Sequence, residues 1–197
     1  TTTEFGITGT NGDGVDITGN NNVVTSADTI SGRDHGVTIG GSNNSVNADG
    51  DILSDQDGFG YGSGVDIDGN SNSVSGDNIG NATSGEDGVR IDGDSNIVTA
   101  NGDIDGFDGD GVLIVGDDNT VSGEEITSAN GDGVDIEGDG NNVDADSVTG
   151  GDSGVVIDGY NNSVDVDGMI TGNGDEGVDI DGNSNTVTAS GVQGNWD

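Results

Sequence analysis

Residues 64–74 read GVDIDGNSNSV, with aliphatic side chains at Val65, Ile67 and Val74, aspartates at Asp66 and Asp68, and glycine and asparagine between them. A short β-branched run that alternates apolar with polar has the period of a half-buried strand, and Gly and Asn punctuate strands at turns. Gly-Val-x-Ile recurs, starting at Gly14, Gly36, Gly64, Gly88, Gly111, Gly133, Gly154 and Gly177, at intervals of 21 to 28 residues. Every copy carries a glycine two residues past its Ile, an asparagine five past it and a valine seven past it. The asparagines are Asn22, Asn44, Asn72, Asn96, Asn119, Asn141, Asn162 and Asn185. Two residues beyond each valine stands another residue of the wall, small in most copies, and an aliphatic follows within a few more, as at Ile30, Ile52 and Ile79.

A fixed period of this length marks a repeat architecture, in which each unit buries its apolar face only by stacking on its neighbours. No stretch has a helical apolar period, and 41 glycines would make poor helices. The expected fold is all-β: one domain over residues 1–197, a parallel β-solenoid of about eight coils with three short strands per coil. Coils stacked at ~4.8 Å would make a rod about 40 Å long. Val15, Ile17 and their equivalents line one inner wall, the Val24 series a second and the Ile30 series a third. Gly19 and its equivalents suit a turn needing a positive φ or close backbone approach. The asparagine column is positioned to run as a ladder of stacked amides.

The strings GVDIDGNSNSV, GVRIDGDSNIV and GVDIEGDGNNV resemble the coils of right-handed parallel β-helix proteins, the broad group that includes pectate lyases and carbohydrate-binding repeat domains. The resemblance spans residues 5 to 193. It implies the fold and leaves the activity open, because this scaffold carries lyases, hydrolases, tailspikes, adhesins and surface-layer proteins.

Composition narrows the function classes. The chain has 197 residues, 39 acidic and 2 basic side chains, a formal charge of -37, and neither Cys nor Pro. Nothing here could neutralise phosphates, which excludes a nucleic-acid binder. No apolar run approaches the ~20 residues of a membrane span. The opening TTTEFGIT is neither Met nor a basic-then-apolar leader and reads as a processed or trimmed product. Low hydrophobicity with high charge is ordinarily a signature of disorder, but a disordered chain has no reason to keep its apolar residues in register. So much like charge opposes compaction unless cations screen or bridge it, which points to either a calcium-rich exterior or a high-salt habitat.

Chemistry has few candidates. Enzymes of the resembled group that cleave polyuronates place Arg or Lys, often with calcium, near acidic residues; here the cationic side chains are Arg33, Arg90 and His35. GRDHGVTI groups Arg33, Asp34 and His35 without a nucleophile or an orienting partner. The insert SDQDGFGYGS, residues 54–63, departs from the repeat and offers Asp55, Asp57, Phe59 and Tyr61, with Phe59 and Tyr61 as candidate ligand or lateral contacts. The expectation is a protein that is not an enzyme and uses no organic cofactor.

The outward positions sort by side. Asp87, Asp110 and Asp132 fall in one expected stack; Asp68, Asp92, Glu137, Asp158 and Asp181 fall in a second, beside Asp66. Carboxylates ~4.8 Å apart either raise their pKa or capture cations, and calcium takes several carboxylate oxygens in flexible geometry. Two readings stand: Ca²⁺ stacks, or a solvated acidic face adapted to salt. The outer residues around the inward valines form a mostly neutral strip, Thr25, Asn47, Ser75, Thr99, Ser122 and Thr188 among them, interrupted by Asp144 and Asp165. Phe5 and Trp196 are candidate end contacts, as plugs of the core or as part of uncovered ends stacking head to tail. The favoured function is an extracellular structural subunit that partners with itself in a filament or surface layer, its acidic face screened or bridged by Ca²⁺. The alternatives are a carbohydrate-binding or carbohydrate-cleaving β-helix domain and, third, an ice-binding protein.

Overall fold

In most coils the chain makes three strands. Val65–Asp68, Ser73–Gly76 and Ile79–Gly80 are one such set, lying on what we term the first, second and third faces. The computed structural model describes residues 1–3, 5–54, 62–81 and 83–195. Every strand pairing among them is parallel, and the register joins like with like. Val65 pairs with Val89, Val74 with Val98, and Ile79 with Ile104. The repeat in the sequence is therefore the axial repeat of a parallel β-solenoid.

The first face is an eight-stranded sheet running from Val15–Ile17 to Val178–Asp181. The second and third faces merge into one sixteen-stranded sheet, because Thr120–Ser128 and Asn142–Gly150 each run uninterrupted through both. The core is one continuous aliphatic cluster filled by the Val-x-Ile pairs, the Val46 series and the Ile30 series, most of them fully buried. Because identical small residues stack on one another, the core is a column of repeated layers whose stability is a sum of coil–coil interfaces.

Two glycine columns are needed for closure. A Cβ on Gly88 would meet the carbonyl oxygen of Gly111 at 2.6 Å and Ile104 Cγ2 at 2.7 Å, so the glycine opening each Gly-Val is fixed by close approach of the next coil and the third-face isoleucine. A Cβ on Gly41 or Gly69 would collide with the carbonyl of the glycine in the preceding coil. Both reasons expected for the Gly19 column operate, because Gly93, Gly116, Gly138, Gly159 and Gly182 also hold a positive φ of 143–155°. A second column with positive φ is the residue before each ladder asparagine: Asn21, Asn43, Ser71, Ser95, Asp118 and Asn161 at φ 57–59°, Ser184 at 62° and Gly140 at 72°. Asn, Asp, Ser and Gly are the residues that tolerate or favour such turns.

Candidate functional site

The asparagine ladder is the most ordered polar feature. The Oδ1 of Asn96 accepts the backbone N–H of Asn72 at 2.9 Å and its Nδ2 at 3.1 Å. The Nδ2 of Asn96 donates to Gly69 O at 2.8 Å and to Asn119 Oδ1 at 3.1 Å. Both lone pairs and both amide hydrogens are thereby used, which is what a side chain 0% exposed requires. Asn44, Asn72, Asn119 and Asn141 repeat this pattern; Asn162 and Asn185 keep the bond to the preceding coil's glycine, at 2.7 and 2.8 Å. Asn22, at the first edge, is exposed.

Parallel to it run acceptor ladders that the motif columns do not reveal. Asp94 Oδ1 accepts the amide of Asp117, Asp117 Oδ1 that of Asp139, and Asp139 Oδ1 that of Tyr160, at 2.8 to 3.0 Å. On another corner Asp51 caps Asn78, and Asn78 caps Asp103. A side-chain oxygen before or within each turn accepts an amide of the following coil, so many carboxylates hold turns together.

The proposed calcium stacks separate on this basis. Asp87 Oδ1 accepts the amide of Asp110 at 2.7 Å, Asp110 Oδ1 that of Asp132 at 2.8 Å, and Asp132 Oδ1 that of Ser153 at 2.8 Å. Burial pushes the Asp110 carboxyl up to about 7, with the Asp132 amide pulling it down and Asp87, Asp135 and Asp132 adding repulsion. Burial raises Asp87 and Asp132 as well. Asp135, on the first face, is carried up to about 6 by burial and by Asp132, Glu137, Asp158 and Asp87.

Asp66 is engaged differently, because its Oδ1 lies 3.3 Å from Arg90 Nη1, while Arg90 Nη2 is 3.9 Å from Asp92. The second stack is exposed and broken: Asp68 and Asp92 are separated from Glu137, Asp158 and Asp181 by Val115 in the same register. Among the described residues, no group of three or more His, Asp or Glu side chains converges as a metal site.

His35 Nδ1 accepts the amide of Ser63 at 3.0 Å, and Asp13 Oδ1 caps the amide of His35 at 3.1 Å, so this histidine is a member of the same corner ladder. Its neighbour Arg33 is tied through its backbone amide to Gly9 and Gly12. The hydroxyl strip is knitted along the axis, with Ser75 Oγ donating to Asn47 Oδ1 at 2.6 Å. Phe59 and Tyr61, with Asp55 and Asp57, lie outside the described residues, as does Trp196. Phe5 is 78% exposed and does not plug the core, which corrects the expectation for that end. Ile7, not Phe5, keeps phase with Ile30.

The last coil is the opposite of the sealed interior. Val178–Asp181, Thr186–Thr188 and Gly191–Gln193 each pair on one side only among the described residues. Ile180 and Val192, members of columns buried in earlier coils, are 41% and 54% exposed. This end is an unpaired sheet edge with an apolar centre.

No curated protein and no solved structure matches the sequence. A family profile described as "Right handed beta helix region" matches residues 87–193, more than half of the chain. Together with the parallel coils, that match places the chain in a family: it belongs to the right-handed β-helix proteins.

Proposed function

We propose that this chain is a structural protein working outside the cell, a stiff β-helix whose open coil edges join copies end to end into a filament or layer. The observation that carries the reading is the register, in which every coil sets like residues on like, so that each coil presents the edge with which the next one pairs. Unpaired edges template further pairing, and a contact between unlike ends propagates without closing. A structural role, not catalysis, is further supported by the carboxylates, which cap amides along the axis instead of converging on one point.

Two ends of a chain carrying -37 repel at low salt. Assembly is therefore expected to need cations, either monovalent salt near ~1 M, where the screening length falls to ~3 Å, or calcium, bound loosely by exposed carboxylates such as Asp158 and Asp181. Sedimentation of the purified chain with and without each cation tests this. Long species should form with cations, and Ile180→Asp should abolish them without unfolding the coils. A monomer under every condition contradicts the reading.

A further inference from the structure

Three stretches of the chain have the form Asn-x-Ser/Thr: Asn43-Asn44-Ser45, Asn81-Ala82-Thr83 and Asn161-Asn162-Ser163. That pattern is the acceptor signal for N-linked sugar, and the fold sorts the three. Asn43 and Asn161 occupy the same place in their coils, the left-handed turn between the first and second faces, at φ 57° and 59°. Both side chains are exposed, and neither makes a hydrogen bond among the described residues. The turn is held by backbone instead, with the N–H groups of Asn43 and Asn161 donating to Asn70 O and Asn183 O, each at 3.1 Å. The middle residue of each triplet is a buried ladder asparagine, and the third, Ser45 or Ser163, is half-buried at the start of a second-face strand.

Asn81 is the contrasting case. It is half-buried; its Nδ2 donates to Ser54 O and to Ser84 Oγ, both at 3.1 Å, and its Oδ1 accepts the Thr83 N–H at 3.1 Å and hydroxyl at 2.8 Å. Sugar on that nitrogen would break this corner apart. The other two triplets are not imposed by the turn: the same place holds Ser71, Ser95, Asp118 and Gly140 in the coils between, and Asn21 is followed by Val23 where a hydroxyl would be needed. Tyr160, next to Asn161, is 49% exposed, although it follows Asp117 and Asp139 in an otherwise acidic ladder. Its ring is a flat apolar surface beside the acceptor, suited to the C–H face of a sugar.

We propose that Asn43 and Asn161 are acceptors of N-linked sugar and that Asn81 is not. The Nδ2 of each acceptor forms a bond to the anomeric carbon of a lipid-linked oligosaccharide donor. That carbon's bond to the donor's phosphate oxygen breaks, and the proton lost from Nδ2 leaves with the phosphate. Whether transfer precedes or follows closure of the coils, the folded chain carries sugar only where the turn is open. Asparagine serves both demands at these places, since it tolerates the left-handed turn and supplies the amide. From Asn43 through Ser71, Ser95, Asp118 and Gly140 to Asn161 is five coil steps, or ~24 Å along one edge of the rod. Sugar there covers the seam of the first and second faces with neutral, hydrated bulk.

The inference rests on the reading that the chain works outside the cell, because this transfer acts on exported chains, and the test separates the two. The protein is recovered from the cells that make it, exterior and interior fractions kept apart, and its peptides are weighed by mass spectrometry. Peptides containing Asn43 and Asn161 should be heavier by one or more sugar residues, and the Asn81 peptide should have its bare mass. Ser45→Val, which copies Val23 of the first coil, should remove the gain at Asn43 alone. Asn161→Ser, which copies Ser71 and Ser95 and keeps the turn, should remove it at Asn161. An exported chain bare at both positions, or one carrying sugar on Asn81, overturns the inference while leaving the extracellular reading intact. A chain confined to the interior overturns both.

Discussion

At the level of single residues, the ladder asparagine is the most demanding position. Asn96→Ala would leave the amide of Asn72, its Nδ2 and the carbonyl of Gly69 without partners in a dry corner. Orphaning buried amides costs about 1–3 kcal/mol each before relaxation, so this substitution should lower the unfolding midpoint strongly. Chemical denaturation checks it, and a change under about 0.5 kcal/mol would mean that the ladder is ornamental.

Asp110 gives the opposite kind of prediction. Its native carboxyl is raised to about 7 by burial, and Asp135 is raised to about 6. The unfolded chain loses these protons near pH ~4 while the native chain still holds them, so stability falls as pH rises from about 4 to about 7. Asp110→Asn keeps an oxygen for the Asp132 amide and removes the charge. It should stabilise the protein at about pH 8 by on the order of 2 kcal/mol and flatten the pH profile. The thermal midpoint should accordingly drop between about pH 5 and pH 8 in the parent, and a rise over that interval would contradict the burial of this acid.

The same residue shows where the sequence was legible and where it was not. Asp87, Asp110 and Asp132 fall into one column by counting alone. Counting does not reveal that their Oδ1 atoms point along the axis into the next coil's amides. The left-handed turn residues were hidden for a related reason. Asn21, Ser71, Asp118 and Gly140 share a backbone conformation but no single side chain, so no column of identity marks them. The asparagine column was legible because a stacked amide ladder accepts nothing else of its shape.

At the level of strands and turns, glycine makes a sharp contrast. Gly88→Ala places a methyl group against the Gly111 carbonyl and Ile104, neither of which can withdraw without opening the coil joint. Overpacking of this kind typically costs about 1–3 kcal/mol and here should exceed that range, because backbone must move. Gly12→Ala meets nothing within 4 Å and should be neutral or stabilising by about 0.5 kcal/mol through the unfolded chain. Thermal melts of the pair check the account, and equal effects would contradict it. The three faces, their inner residues and their order followed from period-two alternation in register. The fusion of second and third faces in Thr120–Ser128 and Asn142–Gly150 did not, although the linking pairs there, Glu124-Glu125 and Asp146-Ser147, lack the Gly or Asn that most other copies carry at this corner.

For the whole molecule, additive coil–coil interfaces imply a gradient. Amide exchange should be slowest in the coils between Val89 and Val166, which have complete coils on both sides. It should be fastest in residues 1–9 and beyond Val178, where one side is open. A uniform exchange profile would mean global cooperativity and would leave the ends no readier to rearrange than the middle.

The end-to-end claim is tested most directly by electron microscopy of the full chain in about 1 M NaCl, over a series of protein concentrations. The account predicts rods much longer than the ~40 Å of one chain, with an uninterrupted ~4.8 Å axial repeat across the joints. Isolated particles of ~40 Å at every concentration, or rods whose axial repeat breaks at each joint, would contradict it.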